Sequence, residues 1–186
     1  MKTVLATALL LLATHCYADD TALVAETKKT ALEIPPKLLA MLQDEIGKGS
    51  FDGAIAACRE KAPKMAAAAS QATGWEIRRV SLKNRNPKAI PDDWERAALE
   101  DFDRRAATGE SPATLEKAEI VGADGKRTLR FMKALPTQQL CLSCHGKQDQ
   151  LAPEVKARLS EIYPNDQATG YSEGQIRGAL TVKRPL

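Results

Sequence analysis

The residues best able to do chemistry stand together as Cys141-Leu142-Ser143-Cys144-His145. Two thiols three positions apart can each add to one vinyl group of a single porphyrin. The histidine that follows then lies beneath the ring and offers an imidazole nitrogen to iron. C-x-x-C-H is the attachment motif of a c-type haem. In a chain of this composition a chance match is expected roughly once in a thousand. A structural zinc site needs a third and a fourth ligand, usually from a second closely spaced pair, and the sequence has no such pair. A thioredoxin-like C-x-x-C belongs in an early βαβ unit, whereas this motif lies late in the chain. The motif predicts one covalent haem c per chain, attached through Cys141 and Cys144, with His145 as an axial ligand of the iron.

The start of the chain agrees with this chemistry. Lys2 precedes an apolar run from Val4 to Ala13, and Cys16-Tyr17-Ala18 follows. This reads as a secretory signal peptide over residues 1–18, too short to span a membrane. A lipoprotein would be acylated at Cys16, but His15 breaks the run of small residues that should precede it. Haem of the c type is attached outside the cytoplasm, so a periplasmic location is expected. Residues 19–36 read as a lead-in segment and 37–186 as the haem domain. Processing leaves about 168 residues, enough for one domain with its own core. Losing Lys2 takes the formal charge from +3 to about +2, too little to draw nucleic acid or an anionic membrane. No membrane span is expected in the mature chain.

His15 and Cys16 leave with the signal peptide. His145 is then the single histidine, and ligation by two histidines of one chain is excluded. Cys58 becomes an odd thiol with no disulfide partner in the chain once Cys141 and Cys144 hold haem. The second axial position is open to Cys58, Met41, Met65, Met132, a lysine, or nothing. A thiolate there would lower the reduction potential and a methionine would raise it.

The elements that must position these residues follow from periodicity and punctuation. Lys37 to Ile46 has a helical pattern ended by Gly47 and Gly49. Ser50 caps a second helix, from Phe51 to about Ala72, with Ile55, Cys58, Ala62, Met65 and Ala69 on its apolar face. Pro63 should kink that helix and free the carbonyl near Arg59. Trp75 to Leu82 reads as a strand. Pro91 opens a helix at its first position, with Trp94, Ala97, Ala98 and Phe102 as the buried stripe. Leu115 to Val121 and Arg127 to Leu135 are strands around an Asp124-Gly125 turn. Pro153 to Ile162 is a short helix and Ile176 to Val182 a last strand. Helices first, then a sheet with a helix interleaved, predict one α+β domain. Two familiar haem architectures do not fit. Small cytochromes c place the motif near the start and a methionine ligand far downstream, but no methionine follows Met132. Four-helix cytochromes place the motif on their last helix, and here a strand follows it.

Several stretches together resemble one family. They are Ala57-Cys58 with Ala62-Pro63; Thr73-Gly74 with Arg78, Arg79 and Ser81; Arg85-Asn86-Pro87; Pro91 with Trp94-Glu95; the haem motif through Gly146; and Tyr163-Pro164 with Asp166, Ala168, Gly170-Tyr171, Gly174 and Arg177-Gly178-Ala179. The chain resembles the PAS-like single-haem c-type cytochromes, a periplasmic haem domain of unknown function that also serves as the sensor domain of bacterial receptors. The resemblance runs from about Leu38 to Val182. It implies a PAS-like antiparallel sheet with N-terminal helices, and an iron ligated by histidine and cysteine, which here are His145 and Cys58. Where the family usually reads Asn-Pro-x-Asn, Lys88-Ala89 follow Pro87.

Two function classes remain. A haem-based sensor of redox state or of a diatomic gas is the class the resemblance favours, and it would pass its signal to a separate periplasmic partner. A periplasmic one-electron carrier is the alternative. Peroxidase-type catalysis needs a distal acid or base and ranks last. The Asp and Glu residues form no general acid/base constellation, so no enzyme activity is expected. Arg78, Arg79, Arg85 and Arg177 are candidates to pair with haem propionates. Trp75, Trp94, Tyr163 and Tyr171 read as core or pocket wall.

Overall fold

The computed structural model describes residues 20–123 and 125–186. The expected signal peptide, the alternative acylation at Cys16, and Asp124 of the expected turn lie outside the described residues.

Residues 20–32 are helical, α1. The next helix, α2 (Ile34–Gly47), has prolines in its first turn, where a missing N–H costs no hydrogen bond. Pro35-Pro36 therefore opens this helix, earlier than the expected Lys37. Ser50 caps the third helix as expected, its Oγ accepting from the Gly53 N–H at 2.9 Å. That helix runs in three parts: α3 (Phe51–Ala56), a π turn (Ala57–Lys61) and α4 (Ala62–Thr73). Pro63 has no N–H to give the Arg59 carbonyl, and the π turn absorbs the mismatch just ahead of it. Gly74 ends α4 in the left-handed region, at φ 73°.

The four strands are β1 (Glu76–Val80), β2 (Glu116–Ala123), β3 (Lys126–Pro136) and β4 (Ile176–Pro185). They form one antiparallel sheet in the order β1-β4-β3-β2. Successive residues of β4 point to opposite faces. Ala179 packs with Val80, Met132 and Ala134 under Leu99 and Phe102 of α5 (Asp93–Ala107). Leu180 and Val182 pack with Ile77 and Phe131 under Ala31 of α1 and Ala69 of α4. A sheet covered by one helix on one face and by the N-terminal helices on the other is the α+β arrangement expected. Among the described residues no helix is long and apolar enough to cross a membrane.

Helix α5 departs from expectation in a way that matters. Its N-cap is Asp92, so Pro91 lies just outside it. Asp92 and Glu95 form a reciprocal capping box, each side chain accepting from the other's backbone N–H at 2.9 Å. The buried stripe is Glu95, Ala98, Leu99 and Phe102, while Ala97 faces solvent and Trp94 is half-buried. An apolar count cannot place Glu95 inside. Its carboxylate is nonetheless buried, because it accepts from Arg78 and from the Thr181 hydroxyl at 3.0 Å.

The cap also titrates. Burial pushes the Asp92 carboxyl up, but hydrogen bonds from the Glu95 N–H, Arg130 and Lys183 outweigh it and hold the group at about 2. An unfolded aspartate titrates near about 4. The stabilisation from the charged cap is therefore complete above about pH 4 and is lost as pH falls toward about 2. Asp92→Asn keeps a capping oxygen but loses the charge. The urea midpoint of the variant should fall below that of the wild type at about pH 5, by a gap that is clearly smaller at about pH 2.5. A gap of the same size at both pH values would contradict this role.

Candidate functional site

The Cys141–His145 motif is folded tightly. A 3₁₀ turn (Gln139–Cys141) leads into the short α6 (Leu142–His145). The Gly146 N–H donates to the Leu142 carbonyl at 2.9 Å. A Cβ at Gly146 would lie 2.6 Å from that same oxygen, so the turn needs a glycine. The loop after α7 (Pro153–Ile162) then clasps the motif. The Tyr171 N–H donates to the His145 carbonyl at 3.0 Å and the Gly170 N–H to the Gly146 carbonyl at 2.8 Å. The Tyr171 and His145 rings meet edge to face.

His145 is buried, with Nδ1 2.7 Å from the Ala168 carbonyl and 3.1 Å from Arg177 Nε. One nitrogen cannot donate to the carbonyl and accept from the guanidinium at once. The buried carbonyl requires a donor, so Nδ1 carries the proton and Nε2 keeps its lone pair. Burial, then the positive charges of Arg177 and Arg85, push the imidazole well below its ordinary value. The ring is thus neutral and oriented, with one nitrogen available as a metal donor. The acceptor is itself held. The Asp166 carboxylate accepts from the Ala168 N–H at 2.8 Å and from Arg85 Nε at 2.9 Å. Arg85 also donates to the Cys144 carbonyl at 2.6 Å, tying both ends of the loop to the motif.

Arg177 reaches His145 through an irregularity in the sheet. Leu135 of β3 pairs with Gly178 and Pro136 pairs with Ile176, so Arg177 is an extra residue on β4 with no partner on β3. Such a bulge re-aims a side chain. Gly178 makes it possible at φ 148°, where a Cβ would run into the Val80 carbonyl. Arg177 Nη1 donates to the Ser81 hydroxyl at 3.2 Å. Burial and the nearby Arg79 charge lower its guanidinium to about 9.

The three described thiols are all free. Cys144 packs against Ile55, Val155 and Leu159. Burial pushes its thiol up to about 11. Cys58 lies on the π turn, one helical turn after Ile55. The apolar face was expected to aim it at the core or a cofactor; Ala57 takes the buried direction, where the wide π turn shifts the register. The Cys58 side chain is accessible, yet desolvation still raises its thiol, and Arg79, Arg85 and Arg177 pull it back. Cys141 and Arg79 share that electrostatic neighbourhood. Arg79 Nε is buried there without a hydrogen-bond partner.

The site thus assembles Cys58, Cys141, Cys144 and His145 with Arg79, Arg85 and Arg177. Arg78 is not part of it, because it turns to the opposite face of the sheet and pairs with Glu95. Tyr163 and Tyr171 stand at the site, each with an arginine over its ring. Trp94 lies elsewhere, between Lys117 and Arg130. Sequence reasoning did not find the Ala168 carbonyl, since a backbone acceptor leaves no residue-type signal. Asp166, two positions before it, is the readable trace, as an Asx turn. Among the described residues, no three of His, Cys, Asp and Glu converge on one point as a direct metal chelate. A neutral imidazole, unpaired thiols, an orphaned guanidinium nitrogen and an excess of positive charge suit a large anionic group that carries its own metal. A haem with two propionates has that chemistry, so these residues fit it.

Comparison with known proteins converges on one family. The Tll0287-like family model matches residues 11–185. The solved structure of the cyanobacterial haem protein Tll0287 is similar over 87% of this chain and 94% of its own, with a TM-score of 0.65 and 25% sequence identity. No curated protein matches the chain.

Proposed function

The chain belongs to the Tll0287-like family, and from that premise we propose that it is an exported c-type haem protein that senses redox state or a diatomic gas. Cys141 and Cys144 hold one haem through thioether bonds. His145 Nε2 and the Cys58 thiolate would bind its iron, and Arg79 would take a propionate. When bound, haem supplies a one-electron couple and an iron able to take a diatomic ligand. The observation that carries this reading is the state of His145, neutral and fixed through Nδ1 by the Ala168 carbonyl, beside unpaired thiols. Residues 1–18 act as the export signal and the mature chain works in the periplasm, on a separate redox or signalling partner. We read the role as binding rather than catalysis.

The place of Cys58 favours sensing over simple electron transfer. It sits on the π turn ahead of Pro63, a break in regular helix hydrogen bonding of the kind frequent at functional sites. Loss of the thiolate on reduction would give a two-state element that redox state and gas could both bias. Carbon monoxide added to the reduced protein is therefore expected to bind and shift the visible spectrum. If neither carbon monoxide nor nitric oxide binds, and both axial ligands persist through redox cycling, the one-electron carrier is the better reading.

A further inference from the structure

We infer that Arg177 sets the reduction potential of this site, with the β4 bulge as the device that delivers its charge to the proximal histidine. The inference rests on the haem reading above. The Ala168 carbonyl and the Cys58 thiolate both donate charge toward the iron and favour its ferric state. Either alone would lower the potential, and the two together would push it further. The Arg177 guanidinium opposes them. Its Nε stands 3.1 Å from His145 Nδ1. It is buried, and among the described residues no carboxylate pairs with it, so its charge acts in a medium that screens poorly. That positive charge favours the less positive ferrous iron over the ferric.

The surroundings show that this placement is built. An arginine at a regular strand position would alternate with its neighbours across the pleat. Arg177 instead occupies the extra position of a bulge that only glycine at 178 permits. Ser81 receives Nη1, and its own hydroxyl donates to the Arg177 carbonyl at 2.9 Å, so both ends of the residue are fixed by one side chain. Asp166, whose charge acts on Arg177, is itself paired with Arg85. Arg177 is a positioning residue, acting on the iron through His145.

The test is a mediated redox titration of the haem-loaded protein, following the visible spectrum, for the wild type, Arg177→Gln and Arg177→Lys. The glutamine variant should bind haem in the same ratio and shift the midpoint downward. At a fixed applied potential its ferrous-to-ferric ratio should fall roughly tenfold. The lysine variant keeps a charge and should stay near the wild type. Ser81→Ala, which loosens the guanidinium without removing it, should shift the midpoint the same way by a smaller amount. It decides the matter should Arg177→Gln not fold. An unchanged midpoint in Arg177→Gln, or an equal drop in both Arg177 variants, overturns the inference. A wild-type protein with no haem overturns the haem reading instead, and the control reads that before any variant is compared.

Discussion

Cys141→Ala combined with Cys144→Ala should abolish covalent haem. After acid-acetone extraction and denaturing electrophoresis, the wild-type band should stain for haem and the double variant should not. Each single variant should retain one thioether and stain weakly. The effect is total because the two half-buried thiols are the described cysteines in C-x-x-C-H spacing, and they flank the turn that presents His145. The fold should survive the change. Cys144 contributes to a small cluster with Ile55, Val155 and Leu159. Losing its sulfur there should cost about 1 kcal/mol, less than the margin of an ordinary domain. Unfolding followed by circular dichroism would separate loss of haem from loss of structure. A double variant that still holds haem through extraction refutes the attachment.

The next largest effect is expected at Cys58. The oxidised wild type should be low-spin, with thiolate features in its optical and electron paramagnetic resonance spectra. Cys58→Ala should remove them and open the iron to imidazole or cyanide. Cys58→Met should raise the midpoint potential, since a thioether stabilises ferrous iron where a thiolate stabilises ferric. The geometry makes the variant mild for the chain. Cys58 is accessible and Ala57 fills the buried direction, so alanine at 58 leaves no cavity in the core. Unchanged spectra in Cys58→Ala would return the second axial position to Met41, Met65, Met132 or a lysine.

Much of this site was legible because its chemistry lies in residue types at fixed spacing. The C-x-x-C-H motif, the leftover Cys58 and the arginines at 79, 85 and 177 all stand out without a structure. So do the β2–β3 hairpin and the Ser50 cap, which depend on neighbours in sequence. What could not be read depends on contacts made across the fold. Nothing in Arg177-Gly178 announces a bulge, which appears only when β4 is laid against β3 and the end of β1. The Ala168 carbonyl has no side chain to signal it. Arg78 and Arg79 are equivalent as letters, and the pleat of β1 alone sends one to Glu95 and the other to the thiols. Glu95 was hidden for a different reason. A search for apolar periodicity counts a glutamate as exposed, and taking Pro91 as the first helical residue concealed the Asp92 cap. The π turn lies between these cases. Pro63 pointed to a disturbance near Arg59, and at the π turn ahead of it Ala57 is buried while Cys58 is exposed beside the arginines.

The central claim is that one haem is bonded covalently to this chain at Cys141 and Cys144. Its most direct test is the intact mass of the protein, exported and purified with haem available and measured under denaturing conditions. The expected mass is that of a chain beginning near Asp19 plus a single haem, and a tryptic peptide spanning Cys141 to His145 should carry the added mass. A chain of the bare polypeptide mass, with both thiols open to alkylation, would contradict the account.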